Sequence, residues 1–100
     1  MVNGERLEAN VIVLPEKVLP WSAAAFDALS SENFEIFLDM KLEILLLGTG
    51  PRQRFPHPRL TQALVAQRVG VEAMDLQAAC RTYNILMAEE RRVAAALLFA

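Results

Sequence analysis

One cysteine (Cys80) and one histidine (His57) are all this 100-residue chain holds of the two residue types that build disulfide frameworks and structural zinc sites. Neither scaffold is open to it, so no metal and no cofactor is expected, and a reducing compartment is. Long hydrophobic runs are missing as well. The longest, Val93–Ala100, has eight residues, against the ~20 that a membrane-spanning helix needs. The first twenty residues lack the charged start and apolar core of a signal peptide, and Glu5, Glu8 and Glu16 argue against a mitochondrial presequence. The cytoplasm is the expected location. Glycine and proline are sparse, at 4 and 5 residues, while 54% of the chain is apolar. Disorder is thereby excluded, and the length suits one compact domain over residues 1–100.

Charge of one sign is not in large excess, since the net is −2. The two halves nevertheless differ. Residues 1–50 carry eight acids against Arg6, Lys17 and Lys41, whereas residues 51–100 carry seven arginines against Glu72, Asp75, Glu89 and Glu90. Pairing between the halves inside one domain is the expected outcome. A nucleic-acid partner is not expected, because the pI of 5.3 is acidic and the aromatics do not interleave with the arginines.

Hydrophobic patterning then orders the chain. Val11–Leu14 is a β-branched run stopped by Pro15, hence a strand, and Pro15 and Pro20 bracket a stiff connection. Trp21 reads as a packed anchor rather than a ligand platform. Ser30 and Ser31 precede Glu32 as a helix start, with Phe34, Phe37 and Leu38 on one stripe. Leu42–Leu47 reads as a strand covered on both faces. Gly48–Pro58 is too punctuated by glycine and proline for regular structure. A helix then starts at Pro58, buries Leu60, Ala63 and Leu64, and is capped by Gly70. Val71–Met74 is a strand, and Asp75 caps a helix over Leu76–Ala88 whose apolar stripe takes in Leu76, Ala79, Cys80, Tyr83, Leu86 and Met87. Val93–Phe99 is the last buried strand. Strand, helix, strand, helix, strand from Leu42 onward makes two crossover units and three parallel strands.

Chemistry has few places to reside. The loop after a parallel strand is where open α/β sheets hold ligands, and here it carries Gly48, Thr49, Gly50, Arg52 and Arg54 before a helix start. Glycine amides, a helix N-terminus and arginines are the ingredients of a small-anion site. The run is neither G-x-G-x-x-G nor a Gly-Lys-Ser/Thr nucleotide loop. The reading preferred over it is a tight strand exit whose arginines pair with acids of the first half. Gln77, Arg81 and Asn84 form a polar strip on the second helix, facing either a pocket or water. Cys80 lies on the apolar stripe as a small inert hydrophobe, and His57 is a capping residue, so no nucleophile–base pair and no catalytic residue is assigned.

Leu46–Pro56, Gly70–Asp75, Ala78–Leu86 and Arg92–Leu97 together resemble a small family of conserved proteins of unknown function, found in bacteria, archaea and eukaryotes. Its mitochondrial members are assembly factors for respiratory complex I, of the kind called NADH dehydrogenase assembly factor three. The resemblance runs from about Val2 to Phe99. It implies a single three-layer α/β domain with a mixed central sheet, no established catalysis, and signature positions at Gly48, Thr49, Gly50, Arg52, Arg54, Phe55, Pro56, Thr82, Tyr83 and Asn84. Family members usually carry another strand upstream of Met1-Val-Asn-Gly-Glu, so the leading strand is expected to be shortened or absent.

The expected function is non-enzymatic protein binding or assembly. Its partner would be another protein, with a membrane-bound respiratory or export component as one kind. Small-anion binding, or a reaction, at Gly48–Arg54 with Arg81 and Asn84 is the alternative. Pairing of Val93–Phe99 or the first strand at a sheet edge, as a homodimer, is a further expectation.

Overall fold

The computed structural model describes residues 10–99. The expectation about a shortened leading strand falls on residues 1–9, outside that range. Strand β1 is Val11–Leu14, and a turn at Pro15-Glu16 returns the chain as β2, Lys17–Pro20, antiparallel to it. The bracketed stretch is therefore an edge strand, where a stiff connection was expected. Proline is compatible with it because Trp21 N–H, one residue on, donates inward to the Asn10 carbonyl at 2.9 Å. Backbone groups alternate in direction along a strand, so the N–H that Pro20 lacks would have pointed to solvent.

Strand β3 is Ile44–Thr49, β4 is Gly70–Met74 and β5 is Val93–Leu98. Helix α1 is Gln62–Ala66 and α2 is Leu76–Ala88. The mixed five-stranded sheet runs β2-β1-β5-β3-β4, with β3 parallel to both β4 and β5, and β1 antiparallel to β5. From β3 the chain steps outward through α1 to β4, then returns through α2 across β3 to β5. Right-handed crossovers in opposite directions place their helices on opposite faces of the sheet. That reversal produces the three layers.

Several boundaries differ from the sequence reading. β3 starts at Ile44 rather than Leu42, after a left-handed turn at Lys41 with φ 54°. It continues through Gly48 and Thr49, which pair with Leu97 and Leu98 instead of opening a loop. The helix expected from Pro58 begins as a 3-10 turn over Pro58–Leu60, and α1 has only five residues. Ala63 is exposed, while Leu64 and Val69 are buried. Gly70 opens β4 rather than capping the helix, because the left-handed residue is Arg68, φ 65°. Ser31–Phe37 is a 3-10 segment that buries Phe34 and Phe37.

Each sheet face has its own core. On one side Trp21, Phe34, Phe37 and Leu64 pack on Ile12, Leu45, Leu47, Ala94, Ala96 and Leu98. Trp21 meets the Phe34 and Phe37 rings edge-on, at 5.7 and 6.2 Å between centroids, and its Nε1–H donates to the Asn33 carbonyl at 2.8 Å. It is the expected anchor. On the other side α2 lays Ala79 and Tyr83 on Leu46, Val93, Ala95 and Leu97. Strand β5 is central and β1 is flanked by β2 and β5, so neither is an edge open to a second chain. The edges are β2 and β4.

Charge pairing joins the halves as expected. Arg54 meets Asp27 at 2.6 Å, Arg91 meets Glu43 at 2.7 Å, and Arg92 lies 3.7 Å from Glu43. The Arg91 hydrogen bond, with help from the Arg92 backbone N–H, holds the Glu43 carboxyl below its ordinary 4.5. A lowered folded value means stability that is present above about pH 4.5 and lost as pH falls through the folded value. Glu43→Gln is accordingly expected to reduce stability at neutral pH and to flatten its fall below that point, read from urea midpoints across the acid limb. An unchanged acid limb would remove Glu43 from the account.

Candidate functional site at the exit of strand β3

β3 and β4 are neighbours whose following helices go to opposite faces, so the crevice that open α/β sheets offer to ligands lies between their C-terminal ends. Gly48, Thr49, Gly50, Arg52 and Arg54 do gather there. The crevice is closed by the chain itself. The Thr49 hydroxyl, 2% exposed with its residue, lies 2.7 Å from the Arg52 carbonyl and 3.1 Å from the Met74 carbonyl, and accepts from the Arg54 N–H at 3.0 Å. The Gly50 carbonyl accepts the first amide of α2, from Leu76, at 2.7 Å. Gly50 needs its glycine, with φ 88°. Asp75 takes the Ala78 N–H at 2.8 Å, as the capping reading required.

Most of the donors on which the anion reading rests are thus engaged within the fold. At the second helix start, the His57 Nδ1 accepts from the Arg59 N–H at 3.1 Å, and the Leu60 and Thr61 amides donate to the carbonyls of His57 and Pro58. Arg54 turns away to Asp27, and its guanidinium lies 4.2 Å above the Phe26 ring. Arg52 is exposed, and no ion pair reaches it among the described residues.

Arg81 and Asn84 stand elsewhere. Both are exposed on α2, and Asn84 lines a separate groove of about 280 Å³ with Cys80 and Tyr83 over Val13, Ala95 and Leu97. Cys80 is exposed, not buried as its place on the stripe suggested. Met87 is exposed too. The helix rests on the small side chain of Ala95 and on Leu97 along a narrow line through Ala79 and Tyr83, which leaves Cys80 and Met87 on its flank. The Tyr83 hydroxyl is buried without a hydrogen-bond partner among the described residues, and burial pushes its pKa up. An unmet buried polar group destabilises. Tyr83→Phe is therefore expected to stabilise the fold by about 1 kcal/mol in urea unfolding; a loss of stability would reveal a partner for that oxygen.

Two features were not read from the patterning, although Phe55 and Pro56 stand among the signature positions. Phe55 is 74% exposed and Val65 59% exposed, and both line a groove of about 480 Å³ with Pro56, Pro58 and Val71 beside β4. The signal available was Phe55 held between prolines in a stretch, 51–71, with four arginines and no acid. The residue that shields part of this edge, Gln53, gives no signal in sequence, since its side-chain amide bonds the Ala73 carbonyl twenty positions away, at 3.0 Å.

Comparison with known proteins agrees with this architecture. Residues 1–98 match a family described as "Protein of unknown function (DUF498/DUF598)". A Bos taurus protein called NADH dehydrogenase [ubiquinone] 1 alpha subcomplex assembly factor 3 is 33% identical over 100 residues, covering 98% of this chain and 54% of that protein. The chain spans about half the length of the curated relatives it matches. A crystal structure from Bordetella parapertussis superposes with a TM-score of 0.87 at 42% identity, over 98% of this chain and 85% of that one. A Bordetella pertussis protein described as a Mth938-like domain gives 0.79 at 37% identity, over 96% and 77%.

Proposed function

The chain belongs to the DUF498/DUF598 family, and from that premise we propose that it is a non-enzymatic protein-binding factor that assists assembly of another protein. The observation that carries this reading is the set of curated relatives, named as complex I assembly factors, whose similarity extends over nearly the whole of this chain. The surface supports it. Phe55 and Val65 stand exposed in a basic, acid-free stretch, the kind of contiguous apolar feature that marks an interaction site. The protein works in the cytoplasm, and the partner is a protein, with a membrane-bound respiratory or export component as one kind. No helix among the described residues is long and apolar enough to cross a membrane.

Small-anion binding at Gly48–Arg54 with Arg81 and Asn84 has less behind it, because the amides and the Arg54 head are already engaged. Affinity purification of the tagged chain from its native host decides the main reading. Reproducible enrichment of a partner supports it, and repeated failure to enrich any protein above background sinks it. Thermal shifts with phosphate that vanish in the Arg52→Ala, Arg54→Ala double variant would favour the anion site instead.

A further inference from the structure

Beyond the protein-binding reading and independent of it, we propose that a groove at the end of the sheet opposite the signature loop binds a small amphipathic carboxylate, of which a straight-chain fatty acid is the simplest. The groove holds about 370 Å³, a volume typical of small-ligand sites, which are mostly apolar with a few placed polar groups. Its floor is Leu14, Met40 and Leu42, outer members of the Trp21-side core. The β1–β2 turn and the turn into β5 form its sides. Register places a cation over that floor. Lys17 pairs with Leu14 across the hairpin, so both side chains leave the same face of the sheet. Arg92 Nε–H donates to the Lys41 carbonyl at 2.8 Å, which holds the guanidinium beside Met40 and Leu42.

A backbone donor is left over at the same place. Ile44 N–H donates to the Arg92 carbonyl at 3.3 Å, so Val93, between Arg92 and Ala94, turns its own N–H and carbonyl toward β1. The last β1–β5 pair is Val13 with Ala95. Pro15 would come next, opposite Val93, but there the chain turns away into β2. The Val93 N–H therefore has no partner among the described residues, and it stands in the wall of the groove. Charge selects the ligand. Lys17, Arg91 and Arg92 line the groove against one acid, Glu16. Asp39 and Lys41, exposed on the adjoining turn, offset each other. Glu43 is taken up by Arg91 at 2.7 Å and lies 3.7 Å from Arg92. Lys17 and the outer N–H groups of Arg92 meet no other carboxylate among the described residues. A carboxylate against Lys17, Arg92 and the Val93 N–H gains charge-assisted hydrogen bonds, while its chain covers Leu14, Met40 and Leu42.

The test titrates the 15N-labelled chain with octanoate. Saturable shifts centred on the Arg92 and Val93 amides, and reaching Met40 and Leu42, are expected, with binding that weakens in salt. Octanol, acetate and octylammonium remove in turn the charge, the chain and the sign of the charge, and each should bind at least tenfold more weakly. Lys17→Glu should weaken octanoate binding about fivefold, and Glu16→Gln should tighten it. Both positions are exposed in the hairpin, so both variants should melt as the parent does. Absence of saturable binding, or shifts centred on Gly50–Arg54 or any other surface, overturns the proposal. Octanol or octylammonium binding as well as octanoate would reduce the groove to an apolar patch, and acetate binding as well would reduce it to a point charge; either overturns it. Equal octanoate binding by the parent, Lys17→Glu and Glu16→Gln does so too.

Discussion

Trp21→Ala is expected to lower stability by about 3–5 kcal/mol, the largest effect of any single substitution considered for this chain. The indole is 5% exposed and sits between Phe34 and Phe37, whose rings it meets edge-on. Removing it leaves a cavity that the 3-10 segments Phe26–Ala28 and Ser31–Phe37 and the start of β1 cannot readily close, because Asn10 also ties this region through its amide to the Ala23 and Ala24 carbonyls. A separate loss comes from the Asn33 carbonyl, which accepts the indole N–H. Trp21→Phe divides the two contributions, since it keeps most of the packing and removes the donor, at about 1–2 kcal/mol. For a domain of this size the alanine variant should melt at least ~12 °C lower, at ~4 °C or more per kcal/mol. A fall of only a few degrees would mean that Trp21 is a surface platform and not the anchor of this face.

Gly48→Val should be nearly as severe, at about 3 kcal/mol by overpacking, and for a different reason. A Cβ at Gly48 would lie 2.9 Å from Leu97 Cδ2 and 3.2 Å from Ala79 Cβ. Glycine is required here by the closeness of α2 to the sheet, with no demand on φ. Gly48→Ala meets chiefly the mobile end of Leu97, so it should cost about 1 kcal/mol, whereas a branched side chain must lift the helix. Equilibrium denaturation of the pair reads the difference. Equal effects of Ala and Val would show that Leu97 and the helix yield to a branched side chain as readily as to a methyl, and the close approach of α2 would then not be what sets the size limit at this position.

The two glycines of the signature loop, for which the sequence offered either a tight strand exit or an anion cradle, do separate structural work. Gly48 allows helix–sheet contact, and Gly50 turns the chain so that its carbonyl meets Leu76. A Gly-Thr-Gly run looks the same in sequence whether its amides face an anion or a neighbouring strand. Only the pairing of Gly48 and Thr49 with Leu97 and Leu98 of β5 shows which case holds.

Patterning alone determined the three parallel strands, the α2 helix with its Asp75 cap, the anchoring Trp21 and the pairing of basic and acidic halves. Each depends on local periodicity, on capping chemistry or on composition, and these are written residue by residue. Tertiary structure decided the rest. That Lys17–Pro20 is a strand followed from β1 lying beside it, since four residues holding a proline have no strand signal of their own. That Cys80 is exposed followed from the narrowness of the surface beneath α2. That β4 lies at an edge and β5 at the centre followed from the direction of the two crossovers, because strand order depends on which way the chain returns over the sheet and no local interaction encodes it.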